Sequence, residues 1–210
     1  MKITDSDPND SFLSRARYPK GRKRLKDILD ATYEIITKEG LAAASQEAIA
    51  KRAKVTQSAV RHYFPTKEEL LLAFFNVGVE RFRSLLEEKL QQQHRDSREQ
   101  LLDIIGTHYD WINQTEDMYF FESVAFWGRN PEFRSFRESW YRQLTGSYRE
   151  LLKNIHADWS AEEVEDTTFQ LMTLVLGGWT TMGATRSVYK TQNKIELKTK
   201  LLKGATKLID

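Results

Sequence analysis

Apolar residues in this chain recur at three-to-four-residue spacing in one stretch after another. Leu25, Ile28, Leu29, Thr32, Ile35 and Ile36 mark a first helix, and Leu70, Phe74, Val77, Phe82, Leu85 and Leu86 mark a long later one. Phe133, Phe136, Trp140, Leu144, Tyr148 and Leu151 repeat the pattern, and Ile195, Leu202 and Ile209 stand seven apart in a final helix over about Lys194 to Ile209. No stretch keeps the two-residue alternation of a half-buried strand. The pattern predicts an all-α fold of about nine helices. Start and stop signals divide it: Gly40 as an αL cap, Ser97-Arg98-Glu99-Gln100 and Ser160-Ala161-Glu162-Glu163 as capping boxes, and Asn130-Pro131 as a helix start.

Between the first helix and the long one lies SQEAIAKRAKVTQSAVRHYFPTK, Ser45 to Lys67. It predicts a short helix, a tight turn and a second short helix. Ser45 and Thr56 are placed to cap them, because a hydroxyl can accept an orphan N–H of the first turn. Ala48, Ile49, Ala50 and Ala53 offer a small apolar face, with Lys51, Arg52 and Lys54 left in water. Val60 anchors the second helix, and Gln57, Ser58, Arg61 and His62 crowd its outer side. Glutamine can pair with adenine and arginine with guanine in a major groove, and Ser58 and Ala59 are small enough for close approach. Pro65 then stops the helix, and Thr66 with Glu69 three residues on opens the next, fixing Lys67 beside its start.

Gly40, Ser45, Ile49-Ala50, Ala53, Val55, Val60, Tyr63-Phe64-Pro65 and Lys67-Glu68-Glu69-Leu70 together resemble the tetracycline-repressor (TetR) type of bacterial transcription regulators. The resemblance is specific over about residues 22 to 75 and architectural beyond. Lys54 stands where that family usually has glycine, so a non-glycine residue must take the turn conformation. Arg61 stands where an aromatic is usual, which leaves it open between a base and a phosphate. The resemblance implies an inducer pocket in the C-terminal part, pairing of two copies through the last helices, and a palindromic DNA site.

Charge agrees with the motif. Net charge is only +2, yet residues 15 to 67 hold 13 Lys/Arg against 5 Asp/Glu, as expected where a chain meets a polyanion. A solvated basic face is the bland alternative. Arg15, Arg17, Lys20, Arg22, Lys23, Arg24 and Lys26 include no acid among them, and Lys20 and Arg22 lead directly into the first helix as a DNA-contacting arm. Ahead of them, residues 1 to 19 read as a mobile tail. The organisation expected is this tail, a DNA-binding domain over 20–67 and a ligand-binding and dimerisation domain over 68–210.

An enzyme finds no footing here. The chain has no cysteine, and His62, His94, His108 and His156 are scattered. Gly177, Gly178 and Gly183 follow no strand and make no phosphate loop; within a helix they let a neighbour or a ligand come close. No catalytic residue, metal site or cofactor is expected. No apolar run approaches the ~20 residues that span a bilayer, so the protein is expected to be cytoplasmic.

Trp111, Phe120, Phe126, Trp127, Trp140 and Trp179 are candidates to line an apolar effector cavity, with ordinary helical core as the alternative for each. The last two helices are the candidate dimer face, unless a monomer folds both onto itself. Gln57, Ser58 and Arg61 are assigned to bases, and Ser45, His62, Tyr63 and Lys67 to phosphates. The function expected is a homodimeric, ligand-responsive DNA-binding repressor. A protein-binding helical adaptor and an activator on the same scaffold stay open as alternatives.

Overall fold

A computed structural model describes residues 16, 18–92, 96–114, 117–182 and 193–210. Most of the predicted tail, with Arg15, Arg17, His94 and Gly183, lies outside these residues. Among them are nine α-helices, a 3-10 turn and no strand: α1 (Pro19–Glu39), the turn Leu41–Ala43, α2 (Gln46–Ala53), α3 (Gln57–Tyr63), α4 (Lys67–Leu90), α5 (Ser97–Gln114), α6 (Asp117–Arg129), α7 (Pro131–Ile155), α8 (Ala161–Met182) and α9 (Lys194–Ile209). The predicted all-α architecture stands.

Local chemistry sets most of the boundaries. Asn130 caps α7, its Oδ1 accepting the Phe133 N–H at 2.8 Å behind the proline start. Ser160 and Glu163 close a reciprocal box at α8: the Ser160 N–H donates to the Glu163 carboxylate at 2.7 Å, and the Glu163 N–H donates to the Ser160 hydroxyl at 3.2 Å. Two expectations need correction. Gly40 does end α1 at positive φ, but at φ 85° and ψ 167° it is not in the αL region. The next peptide therefore turns away from α1, and the Leu41 N–H bonds to Glu122 rather than back to the helix. Ser97 does not cap α5, because it is already helical; Gln100 N–H donates to the Asp96 carbonyl at 2.9 Å, and the Gln100 amide bonds the terminal α4 carbonyl of Leu90 at 2.9 Å.

The chain divides into two compact units, one of residues 1–82 with 118–137 and one of residues 83–117 with 138–210. The first holds α1, α2 and α3, the start of α4, and nearly all of α6. Its core joins Leu25, Ile28, Leu29, Ile35 and Ile36 of α1 to Ile49, Val60, Phe64, Leu70, Phe74 and Phe75. Tyr119 and Phe126 of α6 and Phe133 of α7 complete it, with ring centroids of Phe75 and Phe126 5.1 Å apart. Gly78 makes room for α6: a Cβ there would sit 2.0 Å from the Tyr119 hydroxyl.

In the second unit, α5, α8 and α9 pack on Leu101, Ile104, Ile105, Tyr109, Val164, Leu171 and Val175. On α9 the buried face is Leu197, Leu201, Ala205 and Ile209, a four-residue spacing that follows the 3.6-residue helical period. The seven-residue set is therefore split: Ile209 is buried, Leu202 half-buried and Ile195 73% exposed. Asp110 receives Lys198 at 2.5 Å, and Asp210 receives Arg98 at 2.5 Å. A Cβ on Gly177 would meet no described atom of this chain within 4 Å.

Candidate nucleic-acid interface

The two-helix element is built from its caps outward. Ser45 Oγ accepts the Ala48 N–H at 3.1 Å and starts α2, as predicted. Lys54 ends it at φ 56° and ψ 40°, a left-handed conformation taken by a non-glycine residue. The Val55 N–H then reaches back to the Ala50 carbonyl at 3.0 Å, closing the turn. Thr56 Oγ1 accepts the Ala59 N–H at 3.1 Å and starts α3. One side of α3 is buried through Val60, with Phe64 following it, both without solvent exposure. Gln46 adds a tie that the sequence did not reveal, donating its amide to the Phe64 carbonyl at 2.7 Å and so joining the start of α2 to the end of α3.

That anchoring leaves Ser58, Arg61 and His62 exposed on α3, with Gln57 half-buried at its first position. The His62 and Tyr63 rings meet edge to face, their centroids 5.1 Å apart. The half-buried Tyr63 turns toward the start of α1, where a Cβ on Gly21 would be 3.2 Å from its hydroxyl. Lys20 and Arg22, expected on an arm leading into the first helix, instead lie exposed within the first turn of α1, which already begins at Pro19, and Arg22 Nε donates to the Ala16 carbonyl at 3.4 Å.

Three of the other cations and hydroxyls already have work inside the chain. The Ser45 hydroxyl is its helix cap. Lys67 Nζ donates to the Leu41 carbonyl at 3.2 Å and lies 3.5 Å from that of Ala42, holding the turn after α1. An ammonium carries three donors, so a third remains for a phosphate. Arg52, expected in open water, forks between Glu34 at 3.1 Å and Glu39 at 2.8 Å. Those hydrogen bonds, Glu39 first and Glu34 second, push its pKa up.

The aromatic candidates fall in different places. Phe126 belongs to the core of the first unit, and Trp127 in the same unit carries the buried Arg137 guanidinium 4.5 Å above its ring. Trp111 and Trp140 belong to the second unit. There Trp140 lines a small cleft with Leu86, Leu90, Ile104 and Leu144, edged by Glu87, Gln143 and Ser147. The side chains of Phe120 and Trp179 lie outside the described residues. The four described ones are therefore divided two and two between the units. Among the described residues no group of acids and histidines is arranged to hold a metal ion, and no helix is long and apolar enough to cross a membrane.

Comparison with known proteins addresses the same element. Residues 28–74, from mid-α1 to α4, match the family described as bacterial regulatory proteins, tetR family. The HTH-type transcriptional regulator BetI of Escherichia coli (strain K12) is 28% identical over 161 residues, which are 74% of this chain and 80% of BetI. A putative transcriptional regulator from Pseudomonas aeruginosa PAO1 superposes with a TM-score of 0.76 at 16% identity, covering 94% of each chain. Another from Saccharomonospora viridis, in complex with choline, superposes with a TM-score of 0.70 at 15% identity over 87% of this chain and 94% of that one. The matched segment holds the capped α2–α3 pair with its exposed polar face, and the helical fold continues through the rest of the chain; over residues 28–74 the chain is similar to bacterial regulatory proteins of the tetR family, and over most of its length it shares the fold of the solved regulators.

Proposed function

We propose that the protein is a cytoplasmic, homodimeric repressor that binds a palindromic operator through α3 and leaves it when a small molecule binds. The observation that carries the reading is the outer face of α3. Ser58, Arg61 and His62 point to solvent from a helix whose opposite side is locked by Val60 and by the Gln46–Phe64 tie. A face so anchored can enter a major groove as a rigid body, which is what base reading requires. Gln57, Ser58 and Arg61 are assigned to base edges. Ser45, His62, Tyr63, Lys67, Lys20 and Arg22 are assigned to the backbone.

Dimerisation is supported by what one chain leaves uncovered. Phe169 on α8 is 69% exposed and Ile195 on α9 is 73% exposed. Large apolar side chains in such positions favour burial against a second copy. Two copies would set their α3 helices on half-sites about one duplex turn apart. Trp111, Trp140 and their companions remain the proposed effector contacts, with the cleft beside Trp140 as a starting point. A neighbour bound to choline at 15% identity speaks to the fold, so the effector must be found from this chain's own residues. Footprinting on the DNA upstream of the protein's own gene tests the reading. Protection of two symmetric half-sites, lifted by one compound of a panel, is expected; protection of a single half-site would reject the dimeric repressor.

A further inference from the structure

The turn that joins α1 to α2 is clamped from both sides by side chains distant in sequence. The Leu41 N–H donates to Glu122 Oε1 at 3.0 Å, from a residue 81 positions away on α6. The Leu41 carbonyl accepts from Lys67 Nζ at 3.2 Å, from the first turn of α4. Gly40, directly before Leu41, has φ 85°, and a Cβ on it would come within 3.2 Å of the same Glu122 oxygen. One residue, Leu41, is thus held by a carboxylate at its N–H and by an ammonium at its carbonyl.

We infer that Glu122 is a positioning residue for DNA reading, its carboxylate on the Leu41 N–H making the pose of the α2–α3 pair depend on the seating of α6. The inference rests on the operator-binding reading above and names the residue through which one helix outside the matched segment acts on it. The geometry gives three reasons. First, the turn Leu41–Ala43 is the sole covalent path from α1 into α2, so its orientation aims α2, and the Gln46–Phe64 tie carries α3 along. Second, the bond is charge-assisted, and an N–H···O contact at 3.0 Å is lost by a shift of about 1 Å. Third, α6 is seated in the core of this unit by its rings, Tyr119 against Phe74 and Phe75 and Phe126 against Phe75 and Phe133, so the Glu122 carboxylate moves with it. A displacement of α6 by about 1 Å therefore takes the carboxylate out of reach of the Leu41 N–H.

Glu122 itself touches no base or phosphate in this scheme, so its loss should change affinity without changing salt dependence. The test uses full-length wild type, Glu122→Ala and Glu122→Gln, titrated against operator duplex and against random duplex at several salt concentrations. Hydrogen exchange at the Leu41 amide is followed in the free proteins. Expected for Glu122→Ala are faster Leu41 exchange, roughly tenfold weaker operator binding and an unchanged salt slope. Glu122→Gln, which keeps an acceptor oxygen, should recover most of both. Operator affinity equal to wild type in Glu122→Ala, despite faster exchange, would overturn the inference. So would a changed salt slope, which would tie Glu122 to the phosphate contacts instead. Wild type that binds no duplex at all would bring down the operator reading, and this inference with it.

Discussion

At the scale of single residues, Lys67 has one job inside the chain and, in the proposed reading, a second on DNA. Its ammonium bonds the Leu41 carbonyl and lies near that of Ala42, and it sits at the start of α4, where a phosphate can be met. Lys67→Ala should therefore lower Tm and also flatten the salt dependence of duplex binding by about one unit. An unchanged slope in the titration would confine Lys67 to the turn. Gly78 gives a second prediction. Alanine there would drive a Cβ into the Tyr119 hydroxyl, 2.0 Å away, and overpacking of this kind costs about 1–3 kcal/mol. Thermal unfolding should show that loss, with part of it restored in the Gly78→Ala, Tyr119→Phe double variant. Residue conformations set by near neighbours were legible in the sequence: Ser45 and Thr56 are caps, and Lys54 is left-handed as its turn demanded. The roles of Glu122, Gln46 and Gly78 were not, because each depends on a partner brought close by folding, Tyr119 in the case of Gly78.

Among elements, helix starts were readable wherever a hydroxyl or a proline stood alone as the signal. Ser160 and Asn130 show this, as does Thr66, whose hydroxyl accepts the Glu69 N–H at 3.1 Å. Ser97 misled because Asp96 precedes it and α5 starts one residue earlier than the box requires. On α9 the leucine and isoleucine residues were visible, but not which of them turn inward; a helix with apolar residues on two sides does not say which side its own chain covers. The capped start of α3 carries the prediction for this scale. Thr56→Ala removes the acceptor for the Ala59 N–H and should cost about 1 kcal/mol, a Tm fall of about 2–4 °C for a chain of this size. Because the frayed turn carries Gln57 and Ser58, operator affinity should fall more than affinity for random duplex. Equal losses on both DNAs would mean that this end of α3 reads no base.

For the whole molecule, about nine helices and a basic N-terminal third were legible in the sequence, and nine α-helices stand among the described residues. It did not reveal that α6 belongs to the same compact unit as α1–α3, because α6 is joined to them through Tyr119, Phe126 and Glu122, and contacts of such sequence separation leave no periodic trace. The exposed Phe169 and Ile195 carry the prediction on assembly: Phe169→Asp with Ile195→Asp should yield a monomer of unchanged helicity in sedimentation and circular dichroism, with sharply weakened operator binding. A doubly substituted protein that stays dimeric would place the interface elsewhere.

The central claim is that α3 reads a specific duplex, and fluorescence anisotropy tests it most directly. Purified protein is titrated against duplex from its own upstream region and against random duplex, each at two salt concentrations. Saturable binding by a dimer, steeply weakened by salt, is expected, with the upstream duplex preferred by at least about a hundredfold. Binding to neither duplex, even at low salt, would contradict it and return the α2–α3 pair to the class of protein-binding helical elements.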